Sequence, residues 1–71
     1  MSTTVGDLLA EAVARLAPRA MDDARAEAEI LLAHTLGCDR TRLWSRPEAA
    51  VPATLAARCR ALVGRRAAGE P

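Results

Sequence analysis

The sequence predicts an all-α fold, a small orthogonal bundle of four to five short helices, and three observations predict it. Alanine, leucine, arginine and glutamate dominate the 71-residue chain, and all four are good helix formers. Trp44 is the sole aromatic residue, with no Phe and no Tyr, and β-branched residues are too sparse to build a sheet. Apolar residues recur at helical rather than strand spacing. A chain this short makes one domain, and such a domain buries only about 60% of its unfolded surface, so its core is modest.

The first helix is the clearest. Val5, Leu8, Leu9, Ala12, Val13 and Leu16 fall on one continuous apolar stripe. Thr4 is a good N-cap, and Asp7 three residues later completes a capping-box pattern. Pro18 is expected to end this helix and to push Ala17 out of helical geometry, which makes residues 18–22 a connector. Asp23 is expected to cap a second helix from Ala24 to Leu36. Its face of Ala28, Leu31, Leu32 and Thr35 is widened by Ile30 and Leu36, and so broad an apolar arc predicts the most buried helix of the set.

Gly37 supplies a left-handed C-cap. Asp39 caps a short third helix through Trp44, Pro47 ends it, and Ser45 to Ala50 reads as turn. Val51-Pro52 opens a fourth helix with Leu55, Cys59, Leu62 and Val63 on one face. Gly64 is expected to break or bend it, leaving Arg65 to Ala68 as a separate last turn. Gly69-Glu70-Pro71 is a stop signal. The prolines at 18 and 47 predict oblique crossings.

The search for catalytic chemistry returns absences. Gly6, Gly37, Gly64 and Gly69 are scattered, so no phosphate-cradling loop exists. His34 is the one histidine and makes neither a metal site nor a triad. Glu27 and Glu29 are two apart and cannot share a helix face, and Arg25 and Glu27 read as solvated. Two cysteines make no disulfide framework: Cys59 reads as core and Cys38 as exposed. No apolar run approaches a membrane span and no signal peptide is present, so the expected location is cytoplasmic.

The net charge of +1 hides an asymmetry, with residues 1–39 at −4 and residues 40–71 at +5. The simple account is a solvated face with arginines at helix C-termini. The other is an acidic partner or a phosphate backbone. Trp44 is expected to plug the core beside Leu43. The alternative is an interface position with Arg42 and Arg46 beside it, since Trp and Arg recur at hot spots. Ala33, Gly37 and Leu43 match helix-turn-helix spacing, but Pro47 stops the would-be reader helix early and no Asn, Gln or Lys is there to read bases. A DNA binder is the weakest reading, and a stand-alone helical adaptor comes before it.

The run EAEILLAHTL from Glu27 to Leu36, followed by LGCDRTRLW and closed by RRAAGEP, resembles the N-terminal domain of the HemK family of release-factor glutamine N5-methyltransferases. The matching positions are Glu27, Ala28, Glu29, Leu31, Leu32, Gly37, Arg40, Arg65, Arg66, Gly69, Glu70 and Pro71. The match covers residues 23–71 well and residues 1–22 by helical pattern only. The resemblance implies a helical, substrate-recruiting domain over residues 1–68, with 69–71 opening a linker to a Rossmann-like methyltransferase domain outside this chain. That second domain would bind S-adenosylmethionine and carry an Asn-Pro-Pro-Tyr motif. The whole enzyme would methylate the glutamine of a Gly-Gly-Gln motif in peptide-chain release factors. No catalytic, cofactor or metal residue carries onto this chain, which alone should be inactive. The implied partners are a release factor and the enzyme's own methyltransferase domain, with no membrane and no direct nucleic acid. Arg65, Arg66 and Glu70 would sit where the domain meets the linker, and join Arg42, Trp44 and Arg46 as candidate partner or interdomain contacts.

Overall fold

The computed structural model describes residues 3–20 and 23–69 and places four helices among them: α1 (Val5–Ala20), α2 (Ala24–Leu36), α3 (Arg40–Ser45) and α4 (Ala53–Ala67). The start of α1 shows how local sequence and distant chain cooperate. The Thr4 amide donates to Asp7 Oδ2 at 3.2 Å, and the Asp7 amide to Thr4 Oγ1 at 3.1 Å, which is the reciprocal cap the sequence predicts. The Leu8 amide donates to the Thr4 carbonyl. The Val5 and Gly6 amides instead reach across to the Ala49 and Pro47 carbonyls, at 3.0 and 2.8 Å. Every amide that a helix start leaves orphaned thus has an acceptor. The Val51 amide donates to the Thr3 carbonyl at 2.8 Å, and Thr4 faces Ala50 in an isolated antiparallel bridge. The segment read as a simple turn is therefore a clamp on α1.

The clamp needs Gly6. A Cβ there would stand 3.2 Å from the Pro47 carbonyl oxygen, a backbone atom held by the Gly6 amide itself. Gly6→Ala is expected to lower stability by about 1 kcal/mol or more despite alanine's better helix propensity, read as a lower urea midpoint.

α1 packs on α2 and α4, and α2 packs on α4 and α3. The core takes Val5, Leu8, Leu9, Ala12 and Leu16 from α1, with Val13 half-buried against it. It continues with Ala24, Ala28, Leu32 and Ala33 of α2, Leu43 of α3, Val51, and Ala56, Cys59 and Val63 of α4. Small side chains from three helices meet here, as a short chain without Phe or Tyr must arrange. α2 ends as expected: Gly37 takes φ 70°, and the Cys38 amide bonds the Ala33 carbonyl at 3.0 Å, the closing bond of a Schellman cap. Asp39 caps α3, its Oδ1 accepting from the Arg42 amide at 2.9 Å.

Four expectations are corrected. Pro18 lies inside α1, which runs on to Ala20; Leu16 is buried and Ala17 packs on the core, and that packing outweighs one lost hydrogen bond in the last turn. Residues 21 and 22 of the expected connector lie outside the described residues. Asp23 precedes α2 but makes no side-chain cap bond, because its helical backbone (φ −100°, ψ 0°) replaces the extended conformation that aims a cap at the first amides. Ile30 is 54% exposed, so the α2 apolar arc is narrower than it read. Gly64 does not break α4, which continues unbroken to Ala67.

Gly64 is half-buried, and the nearest atoms a Cβ there would meet belong to the Arg15 guanidinium, the first at 3.3 Å. That is the free end of a flexible side chain, which can move. Gly64→Ala is accordingly expected to raise stability by about 0.5–1 kcal/mol, visible as a higher thermal midpoint.

Candidate functional site

Glu29 is the one buried charged residue among those described, 1% exposed in the middle of α2. Its carboxylate is surrounded by donors. Oε1 accepts from Arg40 Nε at 3.1 Å and from Arg40 Nη2 at 2.6 Å. Oε2 accepts from the Trp44 indole Nε1 at 2.7 Å and lies 3.2 Å from Arg25 Nε. Burial pushes the Glu29 carboxyl upward, but the Arg40 and Trp44 hydrogen bonds and the charges of Arg40 and Arg25 outweigh it and hold the carboxyl below the usual carboxylate range.

The outer side of this cluster faces solvent. Trp44 is 57% exposed, and the Arg40 guanidinium carbon stands 6.0 Å from its ring centroid, the outer limit of a cation–π contact. Trp44 does not plug the core. Leu43 beside it takes that place, and the short α3 turns Trp44 and Arg40, one helical turn apart, towards Glu29. The indole is therefore both exposed and fixed in orientation, an arrangement suited to docking because little side-chain freedom is left to lose.

Two further ion pairs join helices. Arg66 Nε and Nη2 donate to Glu27 Oε1 at 3.1 and 2.5 Å, linking α4 to α2. Arg60 donates to Glu11 through Nε and Nη2, both at 3.1 Å, linking α4 to α1, and this bond holds the Glu11 carboxyl low. Glu27 is thus half-buried and paired rather than solvated, and Arg25 pairs with Glu29. Of the motif positions, Glu27 meets Arg66 and Glu29 meets Arg40: the charged residues of the motif recognise each other.

The expected contact residues divide. Arg42, Trp44 and Arg46 lie on α3 or at its C-cap but divide between two sides: Trp44 turns to Glu29 and Arg40, whereas Arg42 and Arg46, each two residues from it, face away from it. Arg65 and Arg66 stand in the last turn of α4, away from α3 in sequence and element, with Arg66 engaged by Glu27. Glu70 and Pro71 lie outside the described residues. Sequence reasoning missed Glu29. The available signal was its place one residue after Ala28 and three before Leu32, inside the buried arc, with Arg25 four residues earlier.

Arg42 and Arg46 rim an open groove of ≈ 280 Å³ between the end of α2, α3 and residues 49–52, floored by Val5, Leu36, Leu43 and Val51. His34 is exposed and lies with Arg58 and Arg65 along a shallower cleft between α2 and α4. Among the described residues no three His, Cys, Asp or Glu side chains are grouped to hold a metal ion. Both of these clefts carry arginines, which repel a sulfonium, and neither is lined by an acid that could hold ribose hydroxyls. Cys59 is buried, and burial pushes its thiol up, the opposite of what a nucleophile needs. Cys38 is half-buried against the core. α3 is under two turns long, and its Arg40 is held by Glu29, which leaves little of a groove-reading helix. No helix among the described residues is long and apolar enough to cross a membrane.

Fold and surface together define a small all-α domain whose ionised groups tether helices and orient one exposed aromatic residue. The family model described as the PrmC N-terminal domain matches residues 7–71, and the chain belongs to that family, as the Glu27–Leu36 resemblance implied. A protein named release factor glutamine methyltransferase from Burkholderia pseudomallei (strain K96243) is 53% identical over 45 residues, a stretch covering 63% of this chain and 16% of that protein. The matched stretch thus spans about one sixth of that relative's length. No solved structure matches the chain.

Proposed function

We propose that residues 1–68 form the domain by which a release factor glutamine methyltransferase binds and positions its release factor. Residues 69–71 would open the linker to a methyltransferase domain that holds S-adenosylmethionine, and the enzyme would act in the cytoplasm on the glutamine of the Gly-Gly-Gln motif. The observation that carries the reading is Trp44, exposed yet fixed by the buried Glu29, on the same short helix whose other side carries Arg42 and Arg46. The name of the 53% identical relative, release factor glutamine methyltransferase, suggests the reaction and the substrate. Arg65, in the last turn of α4, is the corresponding candidate at the linker end.

The test is steady-state kinetics of the full-length methyltransferase. Trp44→Ala is expected to raise KM for the release factor about tenfold, as loss of an interface anchor does, with kcat essentially unchanged because chemistry takes place in the other domain. An unchanged KM in a folded variant removes this surface from the substrate interface. A fall in kcat at constant KM assigns it to interdomain positioning instead.

A further inference from the structure

We propose that the groove between the end of α2, α3 and residues 49–52 receives an acidic segment of the protein partner, with an apolar side chain seated on its floor. This rests on the release-factor reading for the identity of the partner. It adds which part of the domain grips it and what chemistry is gripped.

The argument is one of unmatched charge over an apolar floor. Four arginines of the domain are answered in place: Arg25 and Arg40 by Glu29, Arg60 by Glu11, Arg66 by Glu27. Arg42 and Arg46 have no ion-pair partner among the described residues, and no acid lines the groove they rim. Asp39 borders the adjoining cleft and is committed to the Arg42 amide as the α3 cap, and Glu48, exposed beside Ala49, does not line the groove. Both arginines are exposed, one helical turn apart at the end of α3, so two acidic side chains of a bound segment can reach them together.

Between the arginines the groove offers hydrocarbon. Leu36 is half-buried and Val5, Leu43 and Val51 form the base. A volume of ≈ 280 Å³ lies at the lower edge of ligand-sized clefts, room for one or two side chains rather than a cofactor. The floor argues against a nucleic acid, whose backbone brings phosphates at regular spacing and calls for a longer run of cations. It argues for a segment carrying acids either side of one aliphatic or aromatic residue. Partner arginines would be repelled, which gives the groove selectivity as well as affinity.

Hydrogen–deuterium exchange of the full-length methyltransferase with and without its release factor tests this, alongside affinity measurements on Arg42→Glu/Arg46→Glu. The expected result is protection of residues 36–52 on complex formation, together with a protected release-factor segment that contains at least two acids and an apolar residue. The double variant should bind about a hundredfold more weakly, at roughly tenfold per reversed contact. Changing the acids of the protected segment to lysine should recover most of that loss. Arg58→Glu, in the cleft between α2 and α4, should change affinity by less than about threefold, a rim-charge effect. If the release factor binds but residues 36–52 stay unprotected, or the protected partner segment is basic, or the charge exchange restores nothing, the groove proposal is overturned while the release-factor reading stands. If the release factor neither binds nor protects any part of the helical domain, both are overturned. Competition by a single-stranded oligonucleotide at the same affinity would mark the groove as a general polyanion site and overturn the peptide assignment.

Discussion

Leu32→Ala is expected to leave the domain largely unfolded at room temperature. Leu32 is 0% exposed and sits in the middle of α2, the helix that packs on all three others. Truncating a buried leucine costs about 2–5 kcal/mol, more where the neighbours cannot close in. Leu32 lies beneath a small open crevice between α1 and α4, lined by Leu8, Ala12, Cys59 and Val63 and rimmed by Glu11, Arg15 and Arg60, and alanine would deepen it. A domain of this size holds only about 3–5 kcal/mol in total. The loss therefore matches most or all of the folding free energy. Far-ultraviolet circular dichroism should show a reduced helical signal and no cooperative melt. Two companions sharpen the test. Leu32→Met, close in volume, should cost under about 1.5 kcal/mol, and Ile30→Ala, two residues away on the exposed side, should change stability by no more than about 0.5 kcal/mol. A Leu32→Ala variant that still melts cooperatively near the wild-type midpoint would show that the α1, α2 and α4 core is not where the stability resides.

Leu32 and Ile30 also mark where the sequence is legible and where it is not. Features set by neighbours within one turn read correctly. The Thr4 and Asp7 box, the left-handed Gly37, the Asp39 cap and the α1 stripe all depend on spacing alone. Features set by distant chain do not. Gly64 reads as a breaker until Arg15 is found lying over it, and Pro18 reads as a terminator until Leu16 and Ala17 are found packed on the core. The 45–50 segment reads as a turn because nothing local says that its carbonyls accept from the first amides of α1. In the candidate site, the Trp and Arg cluster around α3 was visible as composition, but its organiser was not. Glu29 is a charged residue by type, and only the meeting of α2 with α3 supplies the three donor groups that let it be buried. The motif held the answer in coded form, since Glu29 and Arg40 are both among its positions, but a pattern of letters does not say which of them touch.

Glu29→Ala should cost about 2 kcal/mol, the worth of charge-assisted hydrogen bonds lost, and should lower the melting midpoint by roughly 8–16 °C in a domain this small. The figure stays below the penalty for breaking a fully buried ion pair because nothing is stranded in the dark. The Arg40 and Arg25 side chains are 46% and 67% exposed and can turn to water, and the Trp44 indole is already half in solvent. The pH dependence follows from the depressed carboxyl of Glu29. In the unfolded chain this group titrates near about 4.3, and in the folded chain lower. Its contribution is therefore complete above the unfolded value and drains away as the pH falls through the folded one. The stability gap between wild type and Glu29→Ala should be constant from about pH 7 down to about pH 5.5 and should narrow only below about pH 4.3. Glu11, also held low by Arg60, contributes to acid sensitivity in both proteins and cancels in the comparison. Trp44 is the only tryptophan, so its emission reports the same bond. If Glu29 orients the indole, the wild-type emission should change over the window in which the stability gap closes, and the variant should show the altered emission already at neutral pH. An emission that titrates elsewhere, or that Glu29→Ala leaves unchanged, would mean that Trp44 is held by its packing on α3 alone and that the surface it presents does not depend on the buried acid.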